Sequence, residues 1–211
     1  MEITVNAAVS ADGKISNRKR EQVEISSSED FRRVDEMRAE SDAIMVGVGT
    51  VLADDPSLTT DAGPDPVPVV ADSRARMPPD ARLIENAVDT RPVVAVTEDA
   101  PGGRVEALDR RSRVVEAGEE RVDLRKLVEY LESLGYGSLM VEGGGELVYS
   151  FFKEDLVDRF ILYVGDTVIG GRDSPTIVDG EGFLEDYPEL ELVSVEEMSG
   201  GALLEWSLDR R

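Results

Sequence analysis

At two places in the chain an apolar, β-branched run ends in a glycine turn that opens into a helical pattern. The first is Ile44-Met45-Val46-Gly47-Val48-Gly49-Thr50-Val51-Leu52-Ala53-Asp54-Asp55-Pro56. The second is Leu139-Met140-Val141-Glu142-Gly143-Gly144-Gly145-Glu146-Leu147. An apolar run without alternation reads as a strand buried on both faces, and such strands belong to parallel sheets with helical connections. The two junctions therefore predict an α/β fold with a mostly parallel central sheet flanked by helices. They also predict where a ligand would sit, because in open α/β sheets ligands lie beyond the carboxyl ends of the strands. There the amide N–H groups and the helix dipole favour an anion such as a pyrophosphate. Neither junction is the dinucleotide fingerprint, since Leu52 stands where the first would need its third glycine. Backbone demand alone explains a single such turn equally well; the occurrence of two favours a ligand.

The remaining pattern fits the same class. Ile3–Val9, Val67–Ala71, Val93–Val96 and Phe160–Val164 read as strands, and Val114-Val115 as a short one. Ser26-Ser27-Ser28-Glu29-Asp30 opens a helix that runs to about Glu40, with Phe31, Val34, Met37 and Arg38 at helical spacing. Leu124–Leu134 is a helix closed by Gly135, and Glu146–Lys153 is another. The segments around Leu190–Val195 and Ala202–Leu208 suit a closing antiparallel pair. No repeat or long linker divides residues 1–211, which predicts a single domain.

Composition narrows the chemistry. The 211 residues include no His and no Cys. Disulfides, thiolate zinc sites, cysteine nucleophiles, Ser–His–Asp triads and imidazole metal ligands are all excluded. Asp54-Asp55-Pro56 offers adjacent acids, but these serve as turn and cap residues, and no metal site is expected. Asp and Glu number 45 against 23 Lys and Arg, a formal net charge of −22, and only four cations are Lys. Such a surface repels nucleic acid and anionic membranes, and it suits a protein that works in high internal salt. No apolar run approaches ~18–20 residues and no signal-peptide pattern opens the chain, so a cytoplasmic location is expected.

In so acidic a chain, local cations are informative. Ala71-Asp72-Ser73-Arg74-Ala75-Arg76 follows a strand and carries the serine and arginines that clamp a phosphate monoester, as on the 2′-phosphate of NADP. Ser10-Ala11-Asp12-Gly13-Lys14, followed by Arg18-Lys19-Arg20, combines a turn signal with a second cationic cluster.

Taken in order, these segments resemble the reductase domain of riboflavin biosynthesis, a family with the dihydrofolate-reductase-like fold. The resemblance rests on Asn6–Ile15, Ile25-Ser26-Ser27, Met37–Ile44, Gly49–Thr59, Ala71-Asp72-Ser73-Arg74, Val141–Leu147, Leu156–Arg159 and Ile169-Gly170-Gly171. It spans nearly the whole chain. It implies an NADPH-dependent reductase that turns the ribosylamino side chain of a pyrimidine 5′-phosphate into the ribityl form, with hydride delivered to C1′. It also implies a homodimer, whose interface Phe160–Val164 and Ala202–Leu208 would supply. In bacteria the domain is commonly fused to a zinc deaminase, which needs His and Cys. This chain has neither, so a stand-alone reductase acting on the diamino-pyrimidinone before deamination is expected.

The resemblance assigns Ala8, Thr50, Asp54, Ser73, Arg74, Gly143, Gly144, Gly145, Glu146 and Leu147 to the cofactor. It assigns Arg38, Leu58 and Glu142 to the substrate, and Lys14 to catalysis beside the sugar. Lys14, Asp12 or water would supply the proton for ring opening. Where the family often carries a basic residue for the substrate phosphate, this chain has Asp61, leaving Arg18, Lys19 or Arg20 as replacements. Two other readings compete. One is another pteridine or pyrimidine reductase of this fold, such as a dihydrofolate enzyme, which needs an acid facing the pterin within its early strand and helix, whereas Glu29 and Asp30 sit at the helix start. The other is a non-catalytic nucleotide-binding protein.

Overall fold

A computed structural model describes residues 1–87 and 89–209. Along the chain the elements are β1 (Glu2–Val9), α1 (Ser28–Glu40), β2 (Ala43–Gly47), α2 (Val48–Asp54), β3 (Val67–Ala71), α3 (Arg82–Glu85), β4 (Val93–Val96), α4 (Gly102–Asp109), β5 (Arg113–Glu116), α5 (Leu124–Ser133), β6 (Ser138–Gly143), α6 (Gly145–Lys153), β7 (Arg159–Gly165), β8 (Glu191–Met198) and β9 (Gly201–Ser207). They fall into two compact units, Met1 with Glu36–Met140, and Glu2–Asp35 with Val141–Arg211.

In the first unit β5, β4, β3 and β2 lie side by side, all parallel, with Val46 opposite Val70 and Val70 opposite Val94. Ile44, Met45, Val69, Val70, Val94 and Ala95 are fully buried, as unbroken apolar runs require. Each large apolar side chain so buried contributes roughly 1.5–3 kcal/mol. Helix α5 buries Leu124, Leu127, Val128 and Leu131, one stripe at helical spacing. The Asp123 carboxylate caps its start by accepting the Lys126 N–H, and Gly135 reverses the chain after it at φ +90°. Helices α3 and α4 carry no comparable sequence signal: the first is a single turn, and the second buries only Leu108.

In the second unit β1 and β7 are parallel, with Val5 opposite Phe160. Strands β7, β9 and β8 then pair antiparallel, with a bulge in β8 between Leu192 and Ser194. The expected antiparallel C-terminal strands are thus present. Phe160 stacks on Trp206 at 5.4 Å and meets Phe152 of α6 edge-on at 5.5 Å.

Helix α1 forms where its cap predicts: Ser27 Oγ accepts the Asp30 N–H at 3.2 Å. Of the positions at helical spacing, Val34, Met37 and Arg38 are half-buried, and Phe31 departs from the expected face. Phe31 is 54% exposed, whereas Asp30 is 1% exposed. Arg33 donates to Asp30 Oδ1 from Nε (2.9 Å) and Nη2 (2.7 Å), and Nη2 also reaches Asn6 Oδ1 of β1 at 2.8 Å. A polar network, invisible to hydrophobic periodicity, seats the start of this helix. Among the described residues no helix is long and apolar enough to cross a membrane.

Candidate active site

In the second unit, β1 carries half-buried Ala8 and then delivers the chain to the loop that holds Lys14. Gly13, at φ +77°, makes the reversal, and its N–H bonds Ser10 O at 2.8 Å. Ser10 is fully buried, and its hydroxyl has two duties: it donates to Asp12 Oδ1 (2.7 Å) and accepts the Lys14 N–H (2.9 Å). Asp12 Oδ1 also accepts the Ile169 N–H at 2.9 Å, and Asp12 Oδ2 the Gly170 N–H at 2.7 Å. The Ser10 hydroxyl and these amides hold the Asp12 carboxyl down at about 2. These donors favour the ionised form of Asp12. The Lys14 ammonium donates to Ser174 O at 2.9 Å, while Lys14 forms an antiparallel bridge with Thr176.

The same segment meets the β6–α6 junction. Gly144 stands at φ +96°, and no side chain caps α6. A Cβ on Gly145 would lie 2.6 Å from Thr176 O and 3.1 Å from the Asp179 amide nitrogen. Asp179 N–H bonds Gly145 O, and the Asp179 carboxylate accepts from the Thr176 hydroxyl at 2.6 Å. Glu142 and Gly143 are half-buried, Glu146 is exposed, and Leu147 points into the core. Leu147 therefore has only its backbone to offer a ligand.

In the first unit, Thr50 and Asp54 are four residues apart on α2 and share a face. Asp54 is exposed along most of its side chain, yet neighbouring protein desolvates its carboxyl enough to push the pKa above the ordinary 3.8. Asp55 ends the helix in a left-handed cap at φ +41° and accepts the Arg82 N–H, so the adjacent acids have a structural use. Among the described residues no group of three or more potential ligands could hold a metal. Leu58 is buried at φ +55°, a strained conformation for a branched side chain. Arg38 Nη1 donates to Thr59 O at 3.1 Å and pins this strained turn. Asp61 is exposed in the loop that follows.

At the end of β3, Ser73 Oγ accepts the Val122 N–H at 3.3 Å, and Ser73 O accepts the Thr97 hydroxyl at 2.7 Å. Fully buried Asp72 accepts the Met77 N–H at 2.7 Å and faces Arg76 Nε at 3.7 Å. Arg74 and Arg76 are both exposed, and because Arg76 faces Asp72, Arg74 is the better placed of the two to take an anion. Within each unit, donors stand ready for an anion: the uncapped amides at the start of α6 in the second, and Arg74 with the Ser73 hydroxyl at the end of β3 in the first.

Sequence reasoning quoted Ser10 without giving it a role, and missed Ser174, Thr176 and Asp179. The last three lie in a Gly-rich stretch with no periodicity, and only the Asp-Gly turn signal at residues 12 and 13 marks the segment they join.

Comparison with known proteins agrees in several ways. The family model of the RibD C-terminal domain matches residues 1–204. The chain is 48% identical over 195 residues to the 2,5-diamino-6-ribosylamino-4(3H)-pyrimidinone 5′-phosphate reductase of Archaeoglobus fulgidus, covering 87% of this chain and 88% of that one. It is 48% identical over 197 residues to the protein of the same name from Methanothermobacter thermautotrophicus, with 90% of each chain covered. Among solved structures, the Thermotoga maritima deaminase/reductase superposes with a TM-score of 0.82 at 23% identity, over 99% of this chain and 56% of that one. The Saccharomyces cerevisiae riboflavin biosynthesis reductase Rib7 gives 0.77 at 23% identity, over 99% and 90%. These structural likenesses establish the dihydrofolate-reductase-like fold of such reductases.

Proposed function

The chain belongs to the RibD C-terminal domain family, and from that premise we propose that it is the NADPH-dependent reductase of 2,5-diamino-6-ribosylamino-4(3H)-pyrimidinone 5′-phosphate in riboflavin biosynthesis. The observation that carries this reading is the 48% identity to two reductases of that name over about nine-tenths of each chain. One family model runs through both compact units, which supports treating them as a single reductase domain.

NADPH, when bound, supplies a hydride for C1′ of the ring-opened substrate. The protein's part is to bind, orient and hold charge. On the second unit the uncapped amides of Gly145, Glu146 and Leu147 take the pyrophosphate, with Ala8, Gly143 and Gly144 giving the backbone room to approach. On the first unit Thr50 and Asp54 orient the nicotinamide ribose, and Ser73 with Arg74 receives the 2′-phosphate. Arg38, Leu58 and Glu142 face the substrate. Lys14, whose ammonium spends one donor on Ser174 O, has two more for the sugar phosphate. Lys14 or water supplies the ring-opening proton, because the hydrogen bonds on Asp12 favour its ionised form.

The identity to reductases named for the pyrimidinone phosphate favours this reading over the dihydrofolate one. Glu29 Oε2 accepts the Ser199 N–H at 2.9 Å, while Asp30 accepts from Arg33 on Oδ1 and keeps Oδ2 buried without a hydrogen-bond partner. A cytoplasmic homodimer completes the proposal. Strands β8 and β9 support it, with Leu192 and Val195 exposed beside half-buried Leu204 and Trp206. The decisive assay follows NADPH oxidation with the ribosylamino-pyrimidinone phosphate in molar salt. Turnover is expected; silence with that substrate and oxidation with dihydrofolate would overturn the proposal. Arg74→Ala is expected to blur the preference for NADPH over NADH.

A further inference from the structure

Asp12 is exposed, and in a chain of net charge −22 an exposed acid ordinarily does nothing beyond solvating the surface. This one is engaged on both oxygens. It gathers the Ser10 hydroxyl, two residues away, and the amides of Ile169 and Gly170, which are 157 and 158 residues away. Those amides open a segment whose glycines 170 and 171 sit at φ +69° and +90°, a stretch with little conformational preference of its own. Three residues beyond Gly171 is Ser174, whose carbonyl accepts the Lys14 ammonium. From the other side, the Ser10 hydroxyl that donates to Asp12 accepts the Lys14 backbone N–H. One carboxylate thus stands behind both ends of the lysine, its backbone through Ser10 and its ammonium through the segment carrying Ser174.

We propose that Asp12 is a positioning residue for Lys14, closing a ring of hydrogen bonds through Ser10, Lys14, Ser174 and Gly170 that aims the ammonium at the substrate's sugar phosphate. This rests on the assignment of Lys14 to the substrate. The lowered pKa of Asp12 keeps the clamp charged throughout the working range. Asp12→Asn keeps the shape but gives up a charged acceptor, so one of the two amides loses its partner.

The test is a double-mutant cycle with Asp12→Asn and Lys14→Ala, reading substrate KM and kcat, NADPH binding by fluorescence titration, and thermal stability. Asp12→Asn is expected to raise KM about tenfold while NADPH affinity stays near wild type and the melting temperature falls only modestly. In the Lys14→Ala background it is expected to add less than about twofold, because coupled residues are not additive. Effects that multiply in the double variant, or an Asp12→Asn chain with wild-type kinetics, would overturn the positioning role alone. A Lys14→Ala chain with wild-type kinetics would overturn the assignment of Lys14, and with it any role exercised through Lys14. Should Asp12→Asn not fold, Ser10→Ala removes the neighbouring link of the ring, and the same cycle with Lys14→Ala decides.

Discussion

Gly49 and Gly145 each stand in the first turn of a helix that follows a buried strand, and an added methyl group would meet different things at the two positions. At Gly49 it would find nothing within 4 Å. At Gly145 it would run into Thr176 O at 2.6 Å and the backbone of Asp179, and the preceding Gly144 holds φ +96°, which L-residues resist. The glycines of β6–α6 are therefore required by the protein's own fold, and their presence there does not by itself indicate a ligand. The glycine of β2–α2 has no such requirement. A glycine that the fold can do without is the one whose replacement reports close approach by a bound molecule.

Four measurements would break or sharpen that contrast. Gly145→Ala should cost about 1–3 kcal/mol of unfolding free energy, because the obstructing atoms are backbone and cannot swing aside. Denaturant titration in molar salt reads it, and wild-type stability would mean that the segment carrying Thr176 is not closely seated. Gly144→Ala should cost about 1–2 kcal/mol, the penalty for placing a Cβ in a left-handed conformation. Gly49→Ala should go the other way and stabilise by about 0.4–1 kcal/mol, since alanine restricts the unfolded chain and nothing in the folded one objects. If a ligand's backbone approach needs that glycine, NADPH affinity falls at the same time; an unchanged affinity would place the cofactor elsewhere.

The smallest effects lie in the titrations. Asp12, lowered from 3.8 to about 2, supports the fold above the unfolded value, and this support is lost as pH falls through about 2. Asp54 is raised, so its contribution has the opposite sign: it is present below 3.8 and fades as pH rises through the elevated value. Carboxyl carbon NMR should show the two inflections on opposite sides of 3.8, and Ser10→Ala should move the Asp12 inflection upward.

Much of this protein was legible from residue order. The buried strands β2, β3, β4 and β6 announced themselves as unbroken β-branched runs, and α5 by its stripe and caps, because burial on one or both faces leaves a periodic mark. Thr50 and Asp54 could be placed on one helix face from spacing alone. Helix α1 shows the limit: its cap was readable, but its buried position is Asp30 and its exposed one Phe31. Polar burial is decided by whether a partner arrives, and Arg33 serves Asp30 only because the fold also brings it against Asn6.

The sequence by itself narrowed the class of chemistry, since without His and Cys no zinc deaminase can be built from this chain, and the resemblance of its motifs implied a borrowed hydride donor. It also determined the segments, because strands, turns and caps are local choices. Only the tertiary structure decided which charged groups are free to act. Asp12, Asp30, Asp72 and Arg76 look alike in a chain rich in charge, yet each is engaged by a particular partner. For Asp12 that partner lies more than 150 residues away. Hydrogen bonds act over about 3 Å, and what comes within that distance is settled by how the whole chain packs.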